Sequence, residues 1–128
     1  MKKIIQTIFI VLLMLFTINT NSQKQLLTIN LDSTKANGIA FSPKGDFIAA
    51  ACQDKAIRIF NTSTGKLIKV IEGHKTSVLC VDYSNDGKYI AAGDWDNVVK
   101  IWDVATGKLI KNLDDNSNRI NFVKFSND

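Results

Sequence analysis

From Gln25 onward, short apolar and β-branched runs alternate with clusters of Asn, Asp, Ser, Thr and Gly. The clearest stretch holds four such runs. Val78 to Ser84 is apolar with Val81 and Tyr83 on one face, and it ends at Asn85-Asp86-Gly87. Tyr89 to Gly93 ends at Asp94-Trp95-Asp96-Asn97, Val98 to Val104 ends at Thr106-Gly107, and Lys108 to Leu113 alternates again. Period-two alternation bounded by these residues predicts strands joined by tight turns. Asn, Asp and Gly tolerate positive φ, and Asp can hold nearby backbone amides. No helical period is sustained outside the N-terminal segment, so the predicted fold class is all-β.

The pattern repeats. Phe41-Ser42, Tyr83-Ser84 and Phe125-Ser126 recur 42 residues apart, as do Gly45 and Gly87, and Ile59-Phe60-Asn61 with Ile101-Trp102-Asp103. Thr64-Gly65-Lys66-Leu67-Ile68-Lys69 returns unchanged as Thr106-Gly107-Lys108-Leu109-Ile110-Lys111. No insertion or deletion is needed. Four antiparallel strands per period of this length predict one β-propeller blade per copy.

Gly73-His74 opens the fuller copy, Ser84-Asn85-Asp86-Gly87 follows its first strand, and Ile101-Trp102-Asp103 closes its third. Together these resemble the WD40 repeat, and the resemblance covers everything after Gln23. It implies four-stranded antiparallel blades at 31–71 and 73–113. Residues 23–30 would be the fourth strand of a preceding blade, and 114–128 the start of a further one. In such blades a His, a Ser or Thr, an Asp and a Trp form a hydrogen-bonded chain. His74, Asp96 and Trp102 match three of those places, and Ala92 stands where the hydroxyl is usual. His74 would then bond Asp96 and the Trp102 indole together. The first copy has Asp32 for His and Phe60 for Trp and keeps Asp54, while the third has Asn116 for His. The resemblance also implies a face of loops where protein partners dock. Trp95, and Gln53 at the same place in the first copy, are the candidate contacts. The alternative for Trp95 is packing against a neighbouring blade.

About two blades cannot close a ring, and fewer than three repeats leave apolar faces uncovered. The expectation is therefore an N-terminal part of a larger propeller, with closure by oligomerisation as the alternative.

Met1-Lys2-Lys3, the apolar run Ile4 to Ile18 and Thr20-Asn21-Ser22 follow the order of a secretory leader over 1–22. The run is shorter than the roughly 20 residues of a spanning helix, so a membrane role arises only if the leader is uncleaved. The expected location is periplasmic or extracellular, and the short basic start and Ile/Asn/Lys-rich composition are bacterial in character. Without Lys2 and Lys3 the net charge of +4 falls to +2, with the remaining lysines scattered among acids. A nucleic-acid interface would need clustering. Cys52 and Cys80 could pair in an exported protein, but both sit in apolar strand patterns that favour small core side chains.

Enzymatic readings find little support. The chain has one His and two separated Cys, no Gly-x-Ser-x-Gly elbow and no phosphate loop. Asp94-x-Asp96-Asn97 starts like a calcium loop, yet Val98 and Val99 follow where further oxygen ligands belong. No catalytic residue, cofactor or metal ligand is expected. The function implied is a non-catalytic protein-interaction scaffold. The alternative is a propeller domain of an enzyme whose catalytic part lies beyond Asp128.

Overall fold

The computed structural model describes residues 28–114 and 117–127. The expected leader, Gln23 to Leu27 and Asn116 lie outside them. The described residues contain no helix and form eight strands. They are β1 (Ala36–Phe41), β2 (Phe47–Cys52), β3 (Ile57–Asn61), β4 (Leu67–Ile71), β5 (Val78–Tyr83), β6 (Tyr89–Asp94), β7 (Val99–Asp103) and β8 (Leu109–Leu113). Strands β1 to β4 make one antiparallel meander and β5 to β8 a second. Neither sheet closes on itself, as expected of separate blades.

Corresponding turns are built alike because the sequence repeats. At the first turn, Ser42 Oγ accepts from the Phe47 amide at 3.0 Å, and Ser84 Oγ does the same for Tyr89 at 2.9 Å. At the third, Asn61 Oδ1 accepts from the Thr64 amide and Asp103 Oδ1 from the Thr106 amide. Each third turn then passes through a glycine at φ 70°, Gly65 or Gly107, a conformation that costs a residue with a Cβ about 1–2 kcal/mol.

The main core lies between the sheets. The first contributes Ala49, Ala51, Ile57, Ile59 and Ile71, and the second Val78, Val81, Tyr83, Ile90, Ala92 and Trp102. The alanines of β2 and β6 are small, so larger side chains opposite can fill the gap at interior density. A second cluster coats the other face of the first sheet, where Ile29 and Leu31 cover Ile48, Ala50, Cys52 and Phe60. Both cysteines are buried free thiols, and burial raises the pKa of each.

The inner strands β1 and β5 come closest. Around Gly38 the backbones are so near that a Cβ would stand 2.9 Å from the Leu79 carbonyl oxygen. Asn37 reinforces the approach by donating from Nδ2 to Ser77 Oγ at 2.9 Å and to the Val78 carbonyl at 2.7 Å. Lys69 ties the outer side, its Nζ donating to the carbonyls of Val104 and Ala105 at 2.7 and 2.8 Å.

Residues 117–127 form no strand, though they run beside β5. Phe125 donates its amide to Asp82 Oδ2 at 2.8 Å, and Asn85 Nδ2 donates to the Ser126 carbonyl at 2.9 Å.

Candidate functional site

Four elements meet at one end of the second sheet: the segment before β5, the β6–β7 turn, β7, and the stretch around Arg119. Asp94 closes β6 and is almost wholly buried. Its Oδ1 accepts the amides of Asp96 and Val98, each at 3.0 Å, and its Oδ2 meets His74 Nδ1 at 2.7 Å. One carboxylate thus satisfies both the turn and the histidine. The turn passes through Asn97 at φ 64°, a place asparagine tolerates.

This corrects the expected polar chain. Asp96 is not the partner of His74; it sits exposed in the turn and only its main-chain amide joins the network. The partner is Asp94. Strand alternation explains why: Ile90, Ala92 and Asp94 lie two apart on one face of β6, and Ile90 and Ala92 share the core with Trp102. Asp96 falls beyond the strand's end. Trp102 is in place but does not hydrogen-bond to His74. Their rings meet edge-on, with centroids 4.9 Å apart and planes at 61°. His74 Nε2 has no hydrogen-bond partner among the described residues. Burial lowers the His74 pKa from 6.5, partly opposed by its bond to Asp94. The imidazole is therefore neutral near pH 7, donating from Nδ1 to the carboxylate.

The first sheet has no such network. Cys52 stands where Asp94 does, and Asp54 faces outward to pair with Arg58 through two contacts of 2.8 and 2.6 Å. The Arg58 guanidinium lowers the Asp54 pKa. Phe60 fills the Trp102 position as a buried side chain, and Asp32 is exposed. Apolar packing replaces the polar chain here.

Gln53 and Trp95 occupy matching places and are fixed alike. The Gln53 amide donates to the Lys35 carbonyl at 2.8 Å, and the Trp95 amide to the Ser77 carbonyl at 3.0 Å. Both side chains point into solvent. Trp95 is 57% exposed, with the Arg119 guanidinium 4.5 Å from its ring centroid. So the indole does pack on a neighbouring segment, but through one cation–π contact that leaves most of it accessible. Beside it opens a polar cleft lined by Lys75, Asp96, Lys100 and Asp114. Lys100 is committed there, donating to the Gly73 carbonyl.

The WD domain, G-beta repeat family model matches residues 23–61 and 65–103, two stretches offset by the 42-residue period. The chain belongs to the WD40 family. Among solved WD40 proteins, the structure of U3-55K superposes with a TM-score of 0.62 and 25% identity, covering 66% of this chain and 28% of that one. The crystal structure of RRP9 WD40 repeats gives 0.62 and 26%, covering 66% and 27%. This chain therefore spans somewhat more than a quarter of those solved WD40 chains. No curated protein matches it. WD40 propellers generally serve as non-catalytic scaffolds for protein–protein interaction.

Proposed function

We propose that this chain is a non-catalytic protein-interaction scaffold, the N-terminal part of a larger exported propeller protein, whose partner docks on the loop face carrying Gln53 and Trp95. The observation that carries the reading is Trp95. It is a large aromatic on a turn held by three amide hydrogen bonds, from Trp95 to the Ser77 carbonyl and from Asp96 and Val98 to the Asp94 carboxylate, and it remains mostly accessible. An indole that is already positioned loses little conformational freedom on binding, which is how aromatic anchors come to dominate interfaces. Arg119 above the ring and the mixed charges of the adjacent cleft supply a polar rim. Export rests on the leader pattern of 1–22, and a periplasmic or extracellular location follows from it.

The test is affinity capture from the exported fraction, using the whole protein and its Trp95→Ala variant as baits. The expected outcome is that a captured partner binds the variant about 30-fold more weakly. The melting temperature should shift by only a few degrees, because an exposed cation–π contact contributes about 0.5–1 kcal/mol. Unchanged capture with a large loss of stability would refute the docking role. The intact mass of the secreted product checks removal of 1–22 separately.

A further inference from the structure

We infer that the Trp95 turn selects a carboxylate and that Arg119 is the group that binds it, so that the partner presents an Asp or Glu side chain to the guanidinium lying over the indole. This rests on the reading of Trp95 as a docking anchor and names the chemistry that the anchor selects.

The repeat shows where this turn differs. One period before Trp95 and Arg119 stand Gln53 and Ser77. The main-chain frame is shared, because the Trp95 and Gln53 amides donate to the matching carbonyls of Ser77 and Lys35. The side chains are used differently. Ser77 is spent within the fold, its Oγ accepting from Asn37 Nδ2 at 2.9 Å. Arg119 instead comes to 4.5 Å from the Trp95 ring centroid. Both members of that contact depart from the period, on a frame that is otherwise duplicated.

The unspent capacity of Arg119 decides the ligand. Attraction to the face of an indole is electrostatic and engages no acceptor atom, so all five N–H donors of the guanidinium remain. The side chain makes no hydrogen bond or ion pair among the described residues, and it is exposed. A planar fork already steadied by the ring loses less freedom when a carboxylate meets it with two parallel N–H···O bonds. The neighbouring cations are poorer receptors. Lys100 donates to the Gly73 carbonyl, and Lys75 offers a point charge without a fork.

The surroundings set the ligand's charge. Asp96 and Asp114 line the adjacent cleft, and among the described residues neither pairs with Arg119. Asp114 accepts instead from Asn112 Nδ2 at 3.0 Å. Two standing carboxylates tolerate one further negative charge held by fork geometry, but they oppose a phosphate, which carries about −1.5 to −2. A basic partner would meet the Arg119 charge at the ring itself. The open remainder of the indole then takes an apolar side chain beside the acid. The partner that fits is an acidic peptide segment in which Asp or Glu neighbours an apolar residue.

The experiment selects a random heptapeptide library on the whole protein and remakes the enriched sequences as soluble peptides. Enrichment of Asp or Glu beside an apolar residue is expected. Replacing that carboxylate with the amide should weaken binding about tenfold. Arg119→Ala should weaken the acidic peptide by the same factor and leave the amide peptide unaffected. Arg119→Lys, which keeps the charge without the fork, should restore only part of the loss. Asp96→Asn should tighten the acidic peptide about twofold by removing a like charge. Enrichment of Lys or Arg, tighter binding of a phosphoserine peptide than of the acidic one, or an acidic peptide indifferent to Arg119→Ala each overturns the inference. If the peptides in those cases still require Trp95, the docking reading stands without it. If Trp95→Ala is silent as well, or no sequence is enriched, both fall.

Discussion

His74 and Asp94 form a deeply buried polar pair in the second sheet. Their side chains are 1% and 2% exposed and 2.7 Å apart. Removing one partner of a buried pair strands the other, which costs several kcal/mol where an exposed change costs a few tenths. Asp94→Ala leaves three donors without their acceptor and should destabilise by about 3 kcal/mol or more. Asp96→Ala should stay within about 0.5 kcal/mol; urea titrations of the two variants check the contrast. A pH dependence accompanies the pair. Burial holds His74 neutral, with its pKa below 6.5 in the folded chain. Below that pH the unfolded chain takes up a proton that the folded one refuses, so stability should be full above about 6.5 and fall as pH drops towards 5. Thermal melts of His74→Gln should be flatter over that window than those of the parent. At this scale the sequence is partly deceptive. The motif made His74 and Trp102 legible, but motif spacing pointed to Asp96. Only the period-two alternation from Ile90 to Asp94, which depends on where β6 ends, selects the other carboxylate.

Strands and turns were the most legible elements. The alternation of Val78 to Tyr83 and the identical turn hexapeptides locate β3 to β8 with little ambiguity. Less visible was what happens where inner strands begin. The register shifts between Ala36 and Gly38 and again between Val78 and Cys80. Each shift leaves one extra residue, Asn37 or Leu79, out of the ladder, and an apolar run by itself does not announce such a bulge. Gly38 marks the point of contact, and it can be tested. Gly38→Ala drives a methyl against a fixed carbonyl and should cost about 1–3 kcal/mol. Gly45→Ala is the companion measurement: nothing lies within 4 Å of its Cβ and only the φ of 77° opposes it, a cost of about 1–2 kcal/mol. Equilibrium urea curves for both should fall in midpoint relative to the parent and keep its slope. Of the strand expected at 23–30, residues 23–27 lie outside the described residues, and Ile29 forms a bridge.

For the molecule as a whole, the period of 42 residues carried most of the fold in advance, since each sheet repeats the other and one interface relates them. The depth of that interface was not legible. Phe60 and Trp102 occupy equivalent positions, both buried, yet one belongs to the cluster outside the first sheet and the other to the core between the two. The partner surface was legible only as a location. Gln53 and Trp95 fall at matching turns, but Arg119 lies 24 residues beyond Trp95 and nothing in the repeat announces their contact.

The reach of Lys69 also sets an order of events. Its acceptors are 35 and 36 residues further along the chain. During synthesis, which proceeds at about 5–20 residues per second, the first sheet emerges several seconds before the turn that its lysine must grip. Until then that flank stays open. The first sheet thus gains this tie only once the second sheet's third turn has been made.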